Sequence, residues 1–433
     1  MKRRNRVLYV LLISLLLTCL AACDHVTPTD PPQSTPGEYL ESPKPAELPT
    51  TDWQASKSIT SNPFTLSRNG AFFLFNSCLC FLDTDTGYSV FLCSKPGCRH
   101  GESDTLEELK NCDAFLDGIP TMLFCVEDSL YYTLFDTYGT HLYARNADGS
   151  GLRKIATLCG GLISKDTAAA INSWCVFDGY LYYNAMVESS VLSETGDLHV
   201  ERLFETLMRL NLSNGKEEEL LRTQNEVITM IGVNEGMVLL QMRESISMEG
   251  LDYDEYREQI KQLPLFLRLW CEDRGSVATL CELNRENAYA IMGFADGQLH
   301  FSKNEYNGVY AYDFATGTAG NSKLPNDTTS IWNERFAGVY LDGYYDLETG
   351  EFLPSAFRSL PMPEGIDSIG GSIIHVGDTG IIIGEFYSKN HNPVFDEYAY
   401  VPIDKMDDGI QLSDRIVFMR QDDEGYALLQ PEA

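Results

Sequence analysis

Past residue 60 the chain carries two kinds of turn that alternate along its whole length. The first kind places a polar residue, usually followed by Gly, ahead of alternating apolar and aromatic residues. It occurs at Asn69-Gly70, Asp128-Ser129, Asp178-Gly179, Glu235-Gly236, Asp296-Gly297, Ala337-Gly338 and Asp378-Thr379. The second kind ends in glycine and follows each of the first, at Gly87, Gly149, Gly215, Gly275, Gly317, Gly350 and Gly409. Both kinds are typical of β-hairpins, in which the turn needs residues with positive φ.

Two hairpins per unit make four antiparallel strands, and the first turns follow one another at intervals of 41 to 61 residues. Four short strands repeated every 40–60 residues or so are typical of β-propeller blades. A β-sandwich also contains many short strands, but it does not repeat these two kinds of turn in strict alternation. We therefore predict an all-β fold, a β-propeller of about seven four-stranded blades, with six and eight as alternatives. Two further strands are expected within residues 415–429, where they could close the ring.

Two units carry additional chain, which in a propeller decorates a rim. The first insertion covers residues 187–206 of unit three, and the second covers Asp252–Leu263 of unit four. The sequence DYDEYREQIKQL of the second predicts a helix that begins after Asp252 and stops before Pro264. Such insertions either form a binding rim or are neutral surface elaborations, and the sequence leaves both open.

Residues 1–22 have the organisation of a secretory signal. Four basic residues come first, and the apolar run 7–20 is too short for a good membrane span. The run ends in Leu20-Ala21-Ala22-Cys23, which resembles a bacterial lipobox. The resemblance implies a diacylglyceryl group on the Cys23 thiol, cleavage just before it, and a cell-membrane anchor on the extracytoplasmic side. An ordinary secretory signal with a chance cysteine is the alternative.

Residues 23–52 are expected to form the lipidated end and a disordered, Pro-rich tether, ahead of a propeller domain at 53–433. Seven prolines lie in this tether among Thr, Ser, Glu and Asp, a composition that cannot build a core. The whole chain has a net charge of −31, and removal of 1–22, which holds four positive and no negative charges, makes it −35. Because this charge repels nucleic acid, we expect no nucleic-acid partner. The expected partners are the membrane, through the lipid, and an unidentified protein or glycan.

Ten cysteines remain besides Cys19 and Cys23, and the densest group lies between units one and two. Cys93, Cys98, His100 and Cys112 form the pattern Cys-x4-Cys-x-His-x11-Cys. Three thiolates and an imidazole could complete the tetrahedral shell of a structural Zn²⁺, and Pro96-Gly97 would let the chain turn back. Disulfides such as Cys98–Cys112 are an alternative, since an even number of cysteines outside the cytoplasm permits them. Free thiols are the third possibility, and none of the three is catalytic.

Together with the lipobox and the blade turns, this Cys-Pro-Cys-x-His segment resembles uncharacterised exported lipoproteins of Gram-positive bacteria. Those proteins carry a similar stretch in a propeller-like body of unknown function. The resemblance therefore implies a propeller on a lipid anchor, and it implies no activity.

Local enzyme signatures are missing: there is no G-x-S-x-G, H-E-x-x-H, P-loop or Rossmann glycine pattern, and the seven histidines are scattered singly. We predict a binding, sensing or scaffold module of unknown ligand. The alternative is a cell-surface propeller enzyme, a hydrolase or lyase acting on peptides or glycans, whose acidic residues would gather at the axis from several blades. A structural subunit of an envelope complex is a third possibility.

Overall fold

Seven antiparallel sheets form a β-propeller in the computed structural model, which confirms the predicted fold. The model describes residues 48–58, 64–100, 106–118, 120–136, 138–164, 166–192, 198–247, 251–303, 308–339, 342–355, 362–390, 392–407, 409–422 and 425–430. Within these ranges no helix is both long and apolar enough to cross a bilayer.

The first three blades follow two short strands, β1 (Gln54–Ala55) and β2 (Lys57–Ser58), which add to later blades. Blade one consists of β3 (Phe64–Ser67), β4 (Gly70–Phe75), β5 (Cys78–Asp83) and β6 (Ser89–Phe91). Helix α1 (Leu106–Lys110) lies in the connection to blade two. Blade two consists of β7 (Leu123–Val126), β8 (Ser129–Asp136), β9 (Gly139–Asn146) and β10 (Arg153–Thr157). Blade three consists of β11 (Thr167–Phe177), β12 (Tyr180–Leu192), β13 (Leu198–Asn211) and β14 (Glu217–Thr223).

The remaining four blades follow in chain order. Blade four consists of β15 (Glu226–Asn234), β16 (Met237–Glu244), β17 (Leu265–Cys271) and β18 (Ser276–Leu283), with helix α2 (Tyr253–Gln262) between β16 and β17. Blade five consists of β19 (Ala290–Ala295), β20 (Gln298–Ser302), β21 (Val309–Asp313) and β22 (Thr318–Asn321). Blade six consists of β23 (Ser330–Ile331), β24 (Phe336–Val339), β25 (Gly343–Asp346) and β26 (Phe352–Pro354). Blade seven consists of β27 (Ser368–Gly377), β28 (Gly380–Lys389), β29 (Asn392–Pro402), β30 (Ile416–Asp422) and β31 (Gly425–Leu428).

The hairpin turns explain why the glycine punctuation was readable. Asp178 and Gly179 have φ values of 46° and 75°, and Asp296 and Gly297 have values of 49° and 69°. Two consecutive residues with positive φ match the twist of the flanking strands, which is why Gly follows Asp there. One predicted turn is wrong: Ala337-Gly338 lies inside β24, and the blade-six hairpin turns at residues 332–335 instead.

The first strands of neighbouring blades contact one another, as β3 does with β7 and β11 with β15, so they surround the axis. Apolar side chains fill the space between adjacent blades, and alternation along one strand serves two interfaces. On β8, Tyr131 packs in the core between blades two and three, whereas Tyr132 packs between blades one and two. The ring closes where β27 meets β3, and β30 and β31 both join blade seven.

Both predicted insertions are confirmed, and each lies between the two hairpins of its blade, in the connection from the second strand to the third. In blade three, β12 and β13 run as a paired ladder that continues to Leu192 and Leu198. In blade four, Asp252 caps helix α2 in a capping box with Glu255, as the sequence predicted.

Candidate metal centre and axial channel

The predicted cysteine–histidine group comes together in space. The ligand atoms of Cys93, Cys98, His100 and Cys112 all lie within 4.8 Å of one another. We call this group the thiol cluster. Cys112 is buried and the other three side chains are partly buried, so the cluster lies just below the surface of the connection from β6 to β7.

The local backbone explains how four residues of one connection converge. Gly97 adopts φ 72° with open space around its Cα, and the backbone N–H of Cys98 donates to the carbonyl of Lys95. His100 also has a positive φ, of 52°. Nδ1 of its imidazole ring lies 3.6 Å from Sγ of Cys112.

Two rings and one bridge hold the cluster against blade one. Phe91 stacks on the His100 ring with a centroid distance of 4.7 Å. The segment after Cys112 runs beside β5, because the N–H of Leu79 donates to Ala114 and Phe115 forms an isolated bridge with Cys78. The cluster is therefore tied to the outer part of blade one by more than the covalent chain.

Electrostatics within the thiol cluster is uneven. Burial opposes ionisation of Cys93, yet hydrogen bonds from the backbone N–H groups of Lys95 and Asp113 bring the pKa of this thiol below its ordinary value. Burial raises the pKa of Cys112, so this thiol holds its proton more firmly. The hydrogen bond between these two thiols acts on both of them, lowering the pKa of Cys93 and raising that of Cys112.

A different set of groups occupies the axis of the ring. Strand β1 pairs with the inner strand β15, and β2 pairs with the inner strand β11. Leu48 and Trp53 are buried, so the chain packs on the propeller from residue 48, five residues before the expected boundary at 53. We call residues 48–58 the axial segment.

Several contacts hold the axial segment in place. The indole of Trp53 contacts both Phe294 and Phe314, with centroid distances of 5.7 and 5.3 Å, and these two rings also contact each other at 6.3 Å. The side chain of Asn234 donates to the carbonyl of Thr51 at 2.7 Å. Because Asn234 ends β15 and Thr51 precedes β1, the segment enters the axis from the face that carries the first turns.

Lys57 lies in the axis with its Nζ 5.6 Å from the centroid of the Trp174 ring. Burial lowers the pKa of Lys57, while Cys175, Asp378 and Cys125 act in the opposite direction. Burial raises the pKa values of Cys125 and Cys175 to about 12. These two residues occupy equivalent positions on inner strands of blades two and three, and we call them the axial thiols.

Three carboxylates with a raised pKa lie on third and fourth strands of their blades. Burial raises the pKa of Glu205, Glu217 and Asp396. Glu205 accepts from the backbone N–H of Ile228, and Glu217 accepts from the backbone N–H of Cys159. Within the described ranges these three carboxylates thus do not form an axial acidic group.

A cleft of about 1040 Å³ opens on the face of the first turns, between blades three and four. Leu48 of the axial segment, Tyr180, Tyr182 and Met237 supply its apolar and aromatic lining. The charged side chains of the cleft are Asp178, Arg209, Glu235, Glu272, Asp273 and Arg274. Arg209 is paired with Glu272 at 2.8 Å and stacks over Tyr180, so the carboxylates dominate the free charge of the rim.

Sequence reasoning found the four members of the thiol cluster but missed the axial segment and the cleft. The only signals for the axial segment are Leu48 and Trp53, two large apolar residues at the end of a polar stretch. Cys23, the predicted lipidation site, lies outside the described residues.

Fold and site define a seven-bladed β-propeller with an occupied axis and a cysteine–histidine cluster at its rim. No protein-family model and no curated protein matches this chain. Three solved structures illustrate the similarity. The acylaminoacyl peptidase of Pyrococcus horikoshii is 10% identical with a TM-score of 0.43, over 83% of this chain and 52% of that one. Dipeptidyl peptidase 4 of Porphyromonas gingivalis is 8% identical with a TM-score of 0.42, over 86% and 60%.

TolB from Acinetobacter baumannii is 12% identical with a TM-score of 0.30, over 80% of this chain and 79% of that one. This chain therefore spans about half to three-fifths of the length of the two peptidases. At these identities and TM-scores the similarities carry no argument about chemistry.

Proposed function

We propose that this chain is a lipid-anchored, extracytoplasmic propeller that binds a protein ligand through the face carrying the first turns. The observation that carries the proposal is the division of this face. Its axis is filled by residues of the same chain, and its cleft between blades three and four stands open. Concave surfaces with aromatic lining and a few charged groups are the usual binding sites of a rigid scaffold.

The chemistry of the cleft favours a ligand that presents basic and apolar side chains. Asp178, Glu235 and Asp273 are exposed carboxylates at the rim, and the chain as a whole is strongly acidic. Charge complementarity steers a basic partner towards such a surface and speeds its association. Tyr180 and Met237 supply the apolar contact surface below the rim.

The anchor supplies the location. The lipobox at Leu20–Cys23 supports a lipid on Cys23, and 24 residues separate that cysteine from the packed Leu48. At roughly 3.1 Å per residue for an extended Pro-rich chain, this tether would reach about 75 Å. The propeller could then search a wide zone beside the membrane while remaining attached.

Fractionation of cells tests the anchor. The Cys23→Ala variant should leave the membrane fraction, whereas the Cys19→Ala variant, altered within the leader, should remain there. Retention of the Cys23→Ala protein in the membrane fraction would contradict the lipid anchor.

Binding of a fluorescent peptide rich in Lys and Trp tests the ligand class. Saturable binding should weaken with added salt and in the variant Glu235→Gln/Asp273→Asn, while Glu286→Gln, an exposed change outside the cleft, should leave it unchanged. Equal binding by all three proteins would rule out the cleft, and no saturable binding by any would rule out the ligand class.

A further inference from the structure

A buried arginine lies beside the backbone that carries Cys112, and the described residues form no ion pair with its guanidinium. Arg145, on β9 of blade two, is 2% exposed and belongs to the largest fully buried side chains of the molecule. Its Nη2 donates to the carbonyl of Asp113, the residue after Cys112, at 2.8 Å. Its Nε and Nη1 have no hydrogen-bond partner within the described part of the chain.

Such an arginine needs a nearby negative charge, since a guanidinium keeps its proton under all physiological conditions. Leaving an ion uncompensated in a low-dielectric interior is strongly unfavourable. The Asp113 carboxylate is partly exposed and already pairs with Lys95 at 2.8 Å. The Asp113 carboxylate also feels the charge of Arg145, but among the described residues Lys95 is its ion-pair partner.

We propose that the thiol cluster binds one Zn²⁺ through Cys93, Cys98, His100 and Cys112, and that Arg145 is the counter-charge of the resulting anionic centre. On binding, three thiols release three protons and become thiolates, and the imidazole binds in its neutral form. One dication and three thiolates carry a net charge of −1, which balances the guanidinium. A disulfide or protonated thiols would be neutral and would leave the guanidinium without an ion-pair partner among the described residues.

The distances suit this assignment. Zn–S bonds of about 2.3 Å in a tetrahedron place the sulfurs about 3.8 Å apart, and a sulfur and a nitrogen about 3.5 Å apart. Cys112 Sγ and His100 Nδ1 already lie 3.6 Å apart, and the widest separation in the cluster, at most 4.8 Å, needs a contraction of about 1 Å. Irregular chain on both sides of Gly97 can supply that movement.

The site would staple the connection between blades one and two. Cys93 follows the outer strand of blade one, Cys112 leads towards the inner strand of blade two, and Arg145 belongs to blade two itself. The inference goes beyond the proposed function, because it depends on neither the lipid anchor nor the ligand of the cleft.

Metal analysis of the purified full chain tests the site. We expect one zinc per chain and a loss of zinc in His100→Ala. His100 is partly exposed and lies outside the strands, so this substitution should leave the blades intact. Protein that contains no zinc, takes none up when reduced, and shows two fewer titratable thiols when denatured without reductant would establish a disulfide and overturn the proposal. Zinc-free protein with all thiols titratable and no uptake of Zn²⁺ would overturn it as well.

Chelator competition with Zn²⁺ tests the role of Arg145. Loss of an outer-shell partner usually weakens metal binding about 10- to 100-fold, so we expect that loss in Arg145→Met. Arg145→Lys keeps the charge and should recover most of the affinity, and Arg153→Met, an exposed change on the neighbouring β10, should match the wild type. Equal affinities in Arg145→Met and wild type would refute the counter-charge. If Arg145→Met does not fold, a 10-fold or greater loss in Arg145→Lys would refute it instead.

Discussion

The thiol cluster and the axial thiols both combine cysteines with a buried cation, but the balance of charge differs between them. Each region places cysteines near a buried cation, Arg145 at the rim and Lys57 in the axis. In the axis the thiols keep their protons, because burial raises their pKa to about 12, and burial also lowers the pKa of Lys57. A lysine can relieve its own burial by losing a proton, whereas an arginine cannot and must be balanced.

The difference between the two regions comes from the backbone. Cys125 and Cys175 lie on regular inner strands whose N–H groups are used by the sheets, so only the charge of Lys57 favours a thiolate there, and burial outweighs it. Cys93 follows the last strand of blade one, where free backbone N–H groups of Lys95 and Asp113 reach its sulfur. Irregular chain therefore makes a metal-binding thiolate possible, and regular strands make a cysteine an apolar packing residue.

Removal of the Trp53 side chain should have the largest effect on stability and should leave the thiol cluster unchanged. Trp53→Ala deletes a buried indole that packs on two phenylalanine rings, a loss of about 3–5 kcal/mol in the free energy of unfolding. It should also expose the axial thiols to alkylation while the zinc content stays the same. Urea unfolding and maleimide labelling measure both effects, with Tyr289→Ala, an exposed aromatic change, as the control. Axial thiols that stay protected in Trp53→Ala would contradict the covering role of the axial segment.

Acid should lower the free energy of unfolding through His375, which lies on the inner strand β27. Burial lowers the pKa of His375 to about 3, below the ordinary value near 6.5. Between these values the unfolded chain binds a proton that the folded chain does not, so stability falls as the pH drops. From pH 6.5 to pH 4 the loss should be on the order of 3 kcal/mol at 1.36 kcal/mol per pKa unit.

Urea unfolding at several pH values measures this loss, and His375→Gln should flatten the profile. The same slope in the variant and the wild type would assign the acid sensitivity to other groups.

Lys57 should make the free energy of unfolding rise with pH in the alkaline range. Because burial lowers the pKa of Lys57, the unfolded chain binds more protons between that lowered pKa and about 10.4. Stability should therefore rise with pH in this window, and Lys57→Met should remove the rise. A pH-dependence of unfolding that is identical in Lys57→Met would show that Lys57 has an ordinary pKa.

A zinc chelator should lower the free energy of unfolding through the thiol cluster. At free zinc 100-fold above its dissociation constant, binding adds about 2.7 kcal/mol to the free energy of unfolding, and chelator should remove that increment. Cys112→Ser should remove the zinc dependence, whereas Cys281→Ala, a change on β18 outside the cluster, should keep it. A chelator effect that survives in Cys112→Ser would place the metal elsewhere.

Sequence predicted the repeating parts of this protein and missed what depends on contacts between distant segments. Turns announced by Asp-Gly pairs were readable because few other residues adopt positive φ at two successive positions. The blade-six hairpin was misplaced because Asn333, without a glycine, makes that turn by accepting from the N–H groups of Arg335 and Phe336. Spacing sufficed for the thiol cluster, since its four members lie in one connection. Arg145 is 33 residues beyond Cys112 and has no local signal.

Position-resolved alkylation of the native full chain tests the difference between the two regions most directly. Mass spectrometry would follow each cysteine in the native protein, in the native protein with chelator, and in urea. Cys93, Cys98 and Cys112 should react only once chelator is added, and Cys125 and Cys175 only once the protein unfolds. Reaction of the first three without chelator, or of the axial pair in the native protein, would contradict a metal-bound rim and a covered axis.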